Sequence, residues 1–325
     1  MESLKIQESQ DLRHDSPPVA ARQYGHVARG VMDHSVCAQP EETYKPELQE
    51  ILLWLRTQQC RLDVADGIEF FLPSEQYRQF QELMQNDEFV EAKVKYDYSS
   101  DHETLTFRMA GHRHEALADY LKLRLGYFIN KTMEHPEPAI AAFASSLMQT
   151  GSARVKYPSR NGKGGIERRP DLTIANPNII PYPVMIGEVA VSQTTQALDN
   201  LAREYVESTD GQIRTVIGLD VDNLMGARVR ISVWRAKFGE NGKFEGVACD
   251  DSVEVRSIDG IKNPHDRVGL SLFLEDFALG DELTNNTIPG SVTMTLQTDD
   301  LYAMVEKAEA LEKTVKALWA QRNGG

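Results

Sequence analysis

The chain has 325 residues, 41% hydrophobic and 26% charged, the composition of a globular protein with one large domain or two modest ones. Its net charge of −14, from 35 basic against 49 acidic residues, speaks against broad nucleic-acid binding unless positive charge is concentrated locally. No run approaches the roughly 18 apolar residues of a membrane span. The three cysteines (Cys37, Cys60, Cys249) lie far apart, which excludes a C-x-x-C zinc site and a secreted disulfide framework and points to an intracellular setting, cytoplasm or nucleus.

Residues 1–40 are polar, proline-bearing and aperiodic, the pattern of a disordered or loosely attached arm without signal-peptide or transit-peptide character. Residues 41–90 read as a helical N-terminal extension. Leu48, Ile51, Leu52 and Leu55 form one helical stripe, and FLPSEQYRQFQELMQ supplies a second helix capped by Ser74. An α/β core is expected over 91–285, opening with KVKYDYSS and ETLTFRMA, two alternating runs that predict an antiparallel hairpin. In HRHEALADYLKLRLGYFINK, Leu117, Leu121, Leu125 and Phe128 recur at helical spacing, so a helix begins near Glu115. That leaves His112 and His114 on the preceding loop, two apart and unsuited to zinc.

SARVKYPS, PDLTIAN and PVMIGEVAVS are strand candidates, followed by a helix with Leu198, Leu201, Ala202, Tyr205 and Val206 on one face. QIRTVIGLDV and ARVRISVWRAKF are further strands, with Asp220 and Asp222 closing the first, and GLSLFLEDFAL is a strand or short helix. Residues 286–325 carry a C-terminal helix. Its stripe of Leu301, Met304, Val305, Ala308, Leu311, Val315 and Leu318 would dock on the domain or pair with another copy, giving a homo-oligomer.

Chemistry concentrates between residues 154 and 188. Arg154, Lys156, Arg160, Lys163, Arg168 and Arg169 face a single acid, Glu167, which is either a solvated glycine-rich loop or an approach for a nucleic-acid backbone. Asp171 follows a proline at a strand head, and Glu188 lies in the apolar run PVMIGEVAV, where an unpaired charge would be costly. Two such acids on adjacent strands, with Glu115 on the preceding helix, would suit Mg²⁺ or Mn²⁺, which takes one or two carboxylates and keeps waters for hydrolysis. The structural alternatives are a turn-starting Asp171, a Glu188 salt-bridged to Arg168 or Arg169, and a Glu115 placed by the helix dipole.

Pro170-Asp171, the strand bearing Glu188, the following Ser192-Gln193, the helix with Arg203 and Tyr205, and the strand VIGLDV together resemble the PD-(D/E)XK nuclease superfamily. Within it the likeness is to the Uma2-like branch and a group of uncharacterised fungal proteins, over roughly residues 93 to 238. The resemblance implies an α/β fold, a PD-(D/E)XK nuclease-like core of a mixed central sheet flanked by helices, with Asp171 and Glu188 as metal-binding acids and Glu115 assisting. It also implies a lysine two residues after the glutamate, where this chain has Ala190. Losing such a contact typically costs on the order of 100- to 1,000-fold in rate. Lys156, Arg203 and Gln193 are the candidate replacements. The expected function is therefore Mg²⁺-dependent hydrolysis of DNA or RNA, and the alternative is a degenerate member of the fold that binds nucleic acid or protein.

Overall fold

The alternating runs fold as expected into a hairpin, β2 (Val94–Ser99) and β3 (Thr104–Met109), in a computed structural model. It describes residues 44–58, 68–84, 94–109, 111–159, 164–178, 181–191, 195–221, 227–278 and 292–323, all within one compact unit spanning Tyr44–Gly325. The expected arm at 1–40 and the residues Arg160, Lys163, Gln193 and Asp222 lie outside the described residues.

Period-two alternation gives the hairpin two unlike faces. Val94, Tyr96, Tyr98, Leu105 and Phe107 form the apolar face, covered by α1 (Pro46–Gln58) and α2 (Ser74–Met84) through Leu48, Ile51, Tyr77 and Phe80. Tyr77 stacks on Tyr98 with ring centroids 3.7 Å apart. Lys95, Asp97 and Arg108 occupy the opposite face. The hairpin belongs to a five-stranded antiparallel sheet, sheet 1, in the order β1-β3-β2-β6-β5. Two of its strands were not expected from the sequence. β1 (Ile68–Phe71) lies in the stretch read as helical, and β6 (Gly165–Arg168) lies in the basic glycine-rich stretch. Each has only four residues, too few to display a period. Together β5 (Val155–Pro158) and β6 carry the basic stretch into sheet 1, away from the strand of Asp171.

Sheet 2 has six strands in the order β11-β10-β9-β8-β7-β4. Its order along the chain begins with α3 (His112–Met133) and α4 (Pro138–Ser146), then β4 (Met148–Gly151), β7 (Leu172–Ala175) and β8 (Met185–Val191). The helix α5 (Thr195–Glu207) then leads to β9 (Thr215–Val221), β10 (Val229–Phe238) and β11 (Phe244–Arg256). Among the described residues only β8 and β9 pair in parallel, and α5 provides the crossover that a parallel pair requires.

Both faces of this sheet are covered, which explains the nearly continuous apolar runs of β8 and β9. Leu117, Leu121 and Leu125 of α3 pack on one side against Ile174, Val189 and Ile217. Leu198, Ala202 and Tyr205 of α5 pack on the other against Ile186, Ala190 and Trp234. Gly218 permits this close approach, because a Cβ there would lie 2.7 Å from the Trp234 ring and 2.8 Å from Leu198. A short pair, β12 (Gly269–Phe273) and β13 (Thr293–Gln297), precedes the terminal helix α6 (Thr298–Asn323). The stretch GLSLFLEDFAL resolves into β12 followed by one 3₁₀ turn. Among the described residues no helix is long and apolar enough to cross a membrane.

Candidate functional site

Asp171 precedes β7 and stands one step beyond the Leu172–Gly187 pair of the β7–β8 register, which sets it opposite Glu188. The acids singled out in the sequence therefore do meet, at 1% and 2% exposure. Glu115 joins them from the first turn of α3 and is far more open, with 46% of its side chain exposed.

Cations from sheet 1 close on this group. Lys95 and Arg108 are direct cross-strand partners in the β2–β3 register, so their side chains lie abreast on the polar face of the hairpin. Lys95 Nζ donates to Asp171 Oδ1 at 2.8 Å and lies 3.4 Å from Glu115 Oε1. Arg108 Nη1 donates to Glu188 Oε2 at 3.1 Å, while its Nε and Nη2 lie 3.1 and 3.2 Å from the two oxygens of Asp97. The second oxygen of each acid is also taken. Asp171 Oδ2 accepts from the Val189 amide at 2.8 Å and from His114 Nε2 at 3.0 Å, and Glu188 Oε1 accepts from the Tyr205 hydroxyl at 2.7 Å.

His114 reaches Asp171 because α3 begins at His112, three residues earlier than its apolar stripe indicates, so neither histidine lies on a loop. Gly111 is the N-cap, and the Glu115 amide already bonds to its carbonyl at 3.0 Å.

The surroundings drive the two central acids apart in acidity. Burial pushes Glu188 up to about 7, with Arg108 opposing and Asp171 adding to the rise. Burial acts in the same sense on Asp171, but His114, Lys95 and Arg108 outweigh it and hold that carboxyl well below the usual range. Burial disfavours the charged form of His114, yet the adjoining Asp171 carboxylate overrides it and raises the imidazole to about 9. The His114 imidazolium, 3.6 Å away, holds Glu115 down to about 2, against its partial burial and with Lys95 assisting.

The other candidate residues sit elsewhere. Ala190 is buried against α5. Lys156 on β5 is 68% exposed and pairs with Glu167 at 2.9 Å, rather than reaching Asp171. Arg203 pairs with Asp199 at 2.9 Å and donates to the Val247 carbonyl. Arg154 bonds to Glu167 and the Tyr96 hydroxyl, and Arg168 pairs with Glu204 and Asp97. Arg169 donates its amide to Asp97, and its Nε to the Ser152 carbonyl. The described basic residues of this stretch are thus engaged within the protein, and Glu188 takes Arg108 rather than Arg168 or Arg169 as its cation. Lys95, Arg108, Asp97 and His114 were missed by the sequence reading. The available signal was the alternation of KVKYDYSS, which gathers Lys95 and Asp97 on one face.

A divalent ion needs carboxylate oxygens whose negative charge is not already neutralised by neighbouring cations. Here every oxygen of Asp171 and Glu188 accepts from a protein donor, and three cationic groups already surround them. The residues as arranged do not fit a divalent metal. Among the described residues no group of three or more His, Cys, Asp or Glu side chains is placed to hold one. No protein-family model matches the chain, and no curated protein matches it significantly.

Two outcomes are expected from the ion pairs. Arg108→Met leaves the buried Glu188 without its cation and should destabilise the fold by about 3 to 5 kcal/mol in urea denaturation, whereas Arg108→Met with Glu188→Leu should recover part of that loss. His114 has a raised value in the folded state, so its contribution is fully present below its ordinary 6.5 and disappears as pH rises through about 9. Linkage puts this contribution on the order of 3 kcal/mol. Denaturation of the wild type between pH 6 and 10 should show this fall, and His114→Gln should flatten it.

Proposed function

We propose that this chain is a non-catalytic relative of the PD-(D/E)XK-like nucleases that works as a binding module. The kinship is supported by the resemblance around Asp171 and Glu188. It is also supported by the order of the elements built into sheet 2, the helices α3 and α4, the strands β4, β7 and β8, the helix α5 and the strand β9, with the two acids opposite each other at neighbouring strands. Between β4 and β7 the chain passes through β5 and β6 into sheet 1. The observation that carries the non-catalytic reading is that each of the four oxygens of those acids already accepts from a protein donor, with Lys95, His114 and Arg108 supplying the neutralising charge. Nucleic acid is the less favoured partner, since Arg154, Lys156, Arg168 and Arg169 have acids or carbonyls of their own.

The distal half of α6 is the proposed contact surface, with a second copy of the chain as the partner. Leu301, Val305 and Ala308 are buried on the domain, but the same stripe continues through Leu311 and Leu318, which are 47% and 60% exposed. An intracellular setting, cytoplasm or nucleus, belongs to the same proposal, and the exposed free thiol of Cys249 is compatible with it.

The rival reading is Mg²⁺- or Mn²⁺-dependent hydrolysis of DNA or RNA, and one observation favours it. Lys95 stands beside Asp171 and Glu115, so a lysine accompanies the acids although Ala190 holds the motif position.

Incubation of purified protein with single- and double-stranded DNA and RNA plus either ion separates the two. The expected result is no cleavage and no metal-dependent rise in Tm. Cleavage that disappears in Glu188→Ala would establish the nuclease instead. For the contact surface, sedimentation velocity should show self-association that Leu311→Glu with Leu318→Glu abolishes while leaving Tm nearly unchanged. A monomeric wild type at high concentration would rule that surface out.

A further inference from the structure

We propose that the part of the polar face of sheet 1 left over by Lys95 and Arg108 is a binding site for a small aliphatic polyamine, whose primary ammonium groups are held by Asp101 and Glu69. The site is separate from the buried acids and from the α6 surface, and neither of those readings depends on it.

Residues paired across a register share a face, so Thr104 lies with Ser99, and Thr106 lies with Asp97 and Glu69. They continue the polar row of Lys95, Asp97 and Arg108. At Lys95 and Arg108 that row is closed by ion pairs to sheet 2. Toward the β2–β3 turn a cleft of about 430 Å³ remains, bordered also by Glu204 of α5 and by Ser208 just after it. A volume of that size accommodates a small organic molecule.

Charge narrows the choice of ligand. The arginine of the lining, Arg168, is spent, since its Nε and Nη2 donate to Glu204 and its Nη1 lies 3.4 Å from Asp97. The carboxylates of Asp101 and Glu69 have no ion pair among the described residues. The uncompensated charge of the lining is therefore negative.

Hydrogen bonding narrows it further. Asp101 Oδ1, Ser99 Oγ and Ser208 Oγ all belong to residues of this lining, and each is buried without a hydrogen bond. Polar groups left in that condition are costly, and all three can accept. A serine turns between staggered positions about one bond, so either hydroxyl can be directed to a ligand without breaking a bond already made. A primary ammonium offers three donors to such acceptors. A quaternary ammonium would instead call for an aromatic cage, and no Phe, Tyr or Trp is among the described lining residues.

The spacing of the acids selects a chain with charge at both ends. Thr106, beside Glu69, and Thr104, next to the turn that carries Asp101, are two residues apart on one strand, a step of about 7 Å. The two carboxylates are thus set along the cleft rather than gathered at one point.

Calorimetric titration of spermidine into the full-length protein tests this, in about 0.1 M salt to screen attraction to the net charge of the chain. One spermidine should bind per chain, and Asp101→Asn should weaken it at least about tenfold, the effect of losing one charge-assisted hydrogen bond. Glu69→Gln should weaken it as well. Glu50→Gln, which removes an exposed acid from α1 on the other side of sheet 1, should leave the affinity unchanged. If Asp101→Asn does not fold, Ser99→Ala with Ser208→Ala carries the same comparison through the unbonded hydroxyls. Absence of binding overturns the proposal, and so does binding that Glu50→Gln weakens as much as Asp101→Asn does. Glucose bound in place of spermidine, and lost in Asp101→Asn, would overturn the assignment to an amine.

Discussion

Lys95 and Arg108, side by side on one hairpin and directed into a pair of buried carboxylates on another sheet, are the contact on which the arrangement of this protein depends. A carboxylate at 1% or 2% exposure cannot remain ionised alone in an apolar layer, and here the compensating charge comes from outside that layer. Sheet 1 must therefore dock with its polar face against the Asp171 and Glu188 end of sheet 2, and in one register. Shifting β2 by one residue would turn Lys95 and Asp97 into the aromatic core under α1 and α2. The gain from such buried pairs is better described as uniqueness of docking than as net stability, because desolvation offsets much of the attraction.

The groups that a hydrolytic site would use are bonded to one another here and tie sheet 1 to sheet 2. Opposed acids on neighbouring strands bond to such groups, Asp171 to a lysine and a histidine and Glu188 to a tyrosine hydroxyl. Each is a familiar catalytic group, yet each already has a partner. The same crowding separates the acidities of Asp171 and Glu188. One acid becomes a permanent anion, and the other is poised near neutrality but sealed from solvent. Function in such a centre is decided by which lone pairs remain free, and residue identity alone does not reveal that.

Much of the fold was legible because it rests on repetition. The stripes of α3 and α5, the nearly continuous apolar runs of β8 and β9, and the alternation of β2 and β3 all announce themselves in the sequence. Four-residue strands such as IEFF and GIER do not, since their place is fixed by the neighbours they pair with. The acids of the site were legible as polar residues in unfavourable surroundings, but their partners were not. Alternation shows that Lys95, Asp97 and Arg108 share a face; it is silent on whether that face meets water or another sheet. A search at fixed spacing from Glu188 stops at Ala190, whereas the lysine beside the acids comes from a different strand, 76 residues from Asp171.

That separation has a consequence for how the molecule is made. The bonds of Lys95 and Arg108 to Asp171 and Glu188 span 76 and 80 residues, so closing them is an expensive and late event for the chain. During synthesis the hairpin emerges before both acids, with Lys95 unpaired and Arg108 held by Asp97 of the same hairpin. The strands that follow bring two uncompensated acids into what will become an interior. Neither set of charges is fully compensated until the two sheets dock.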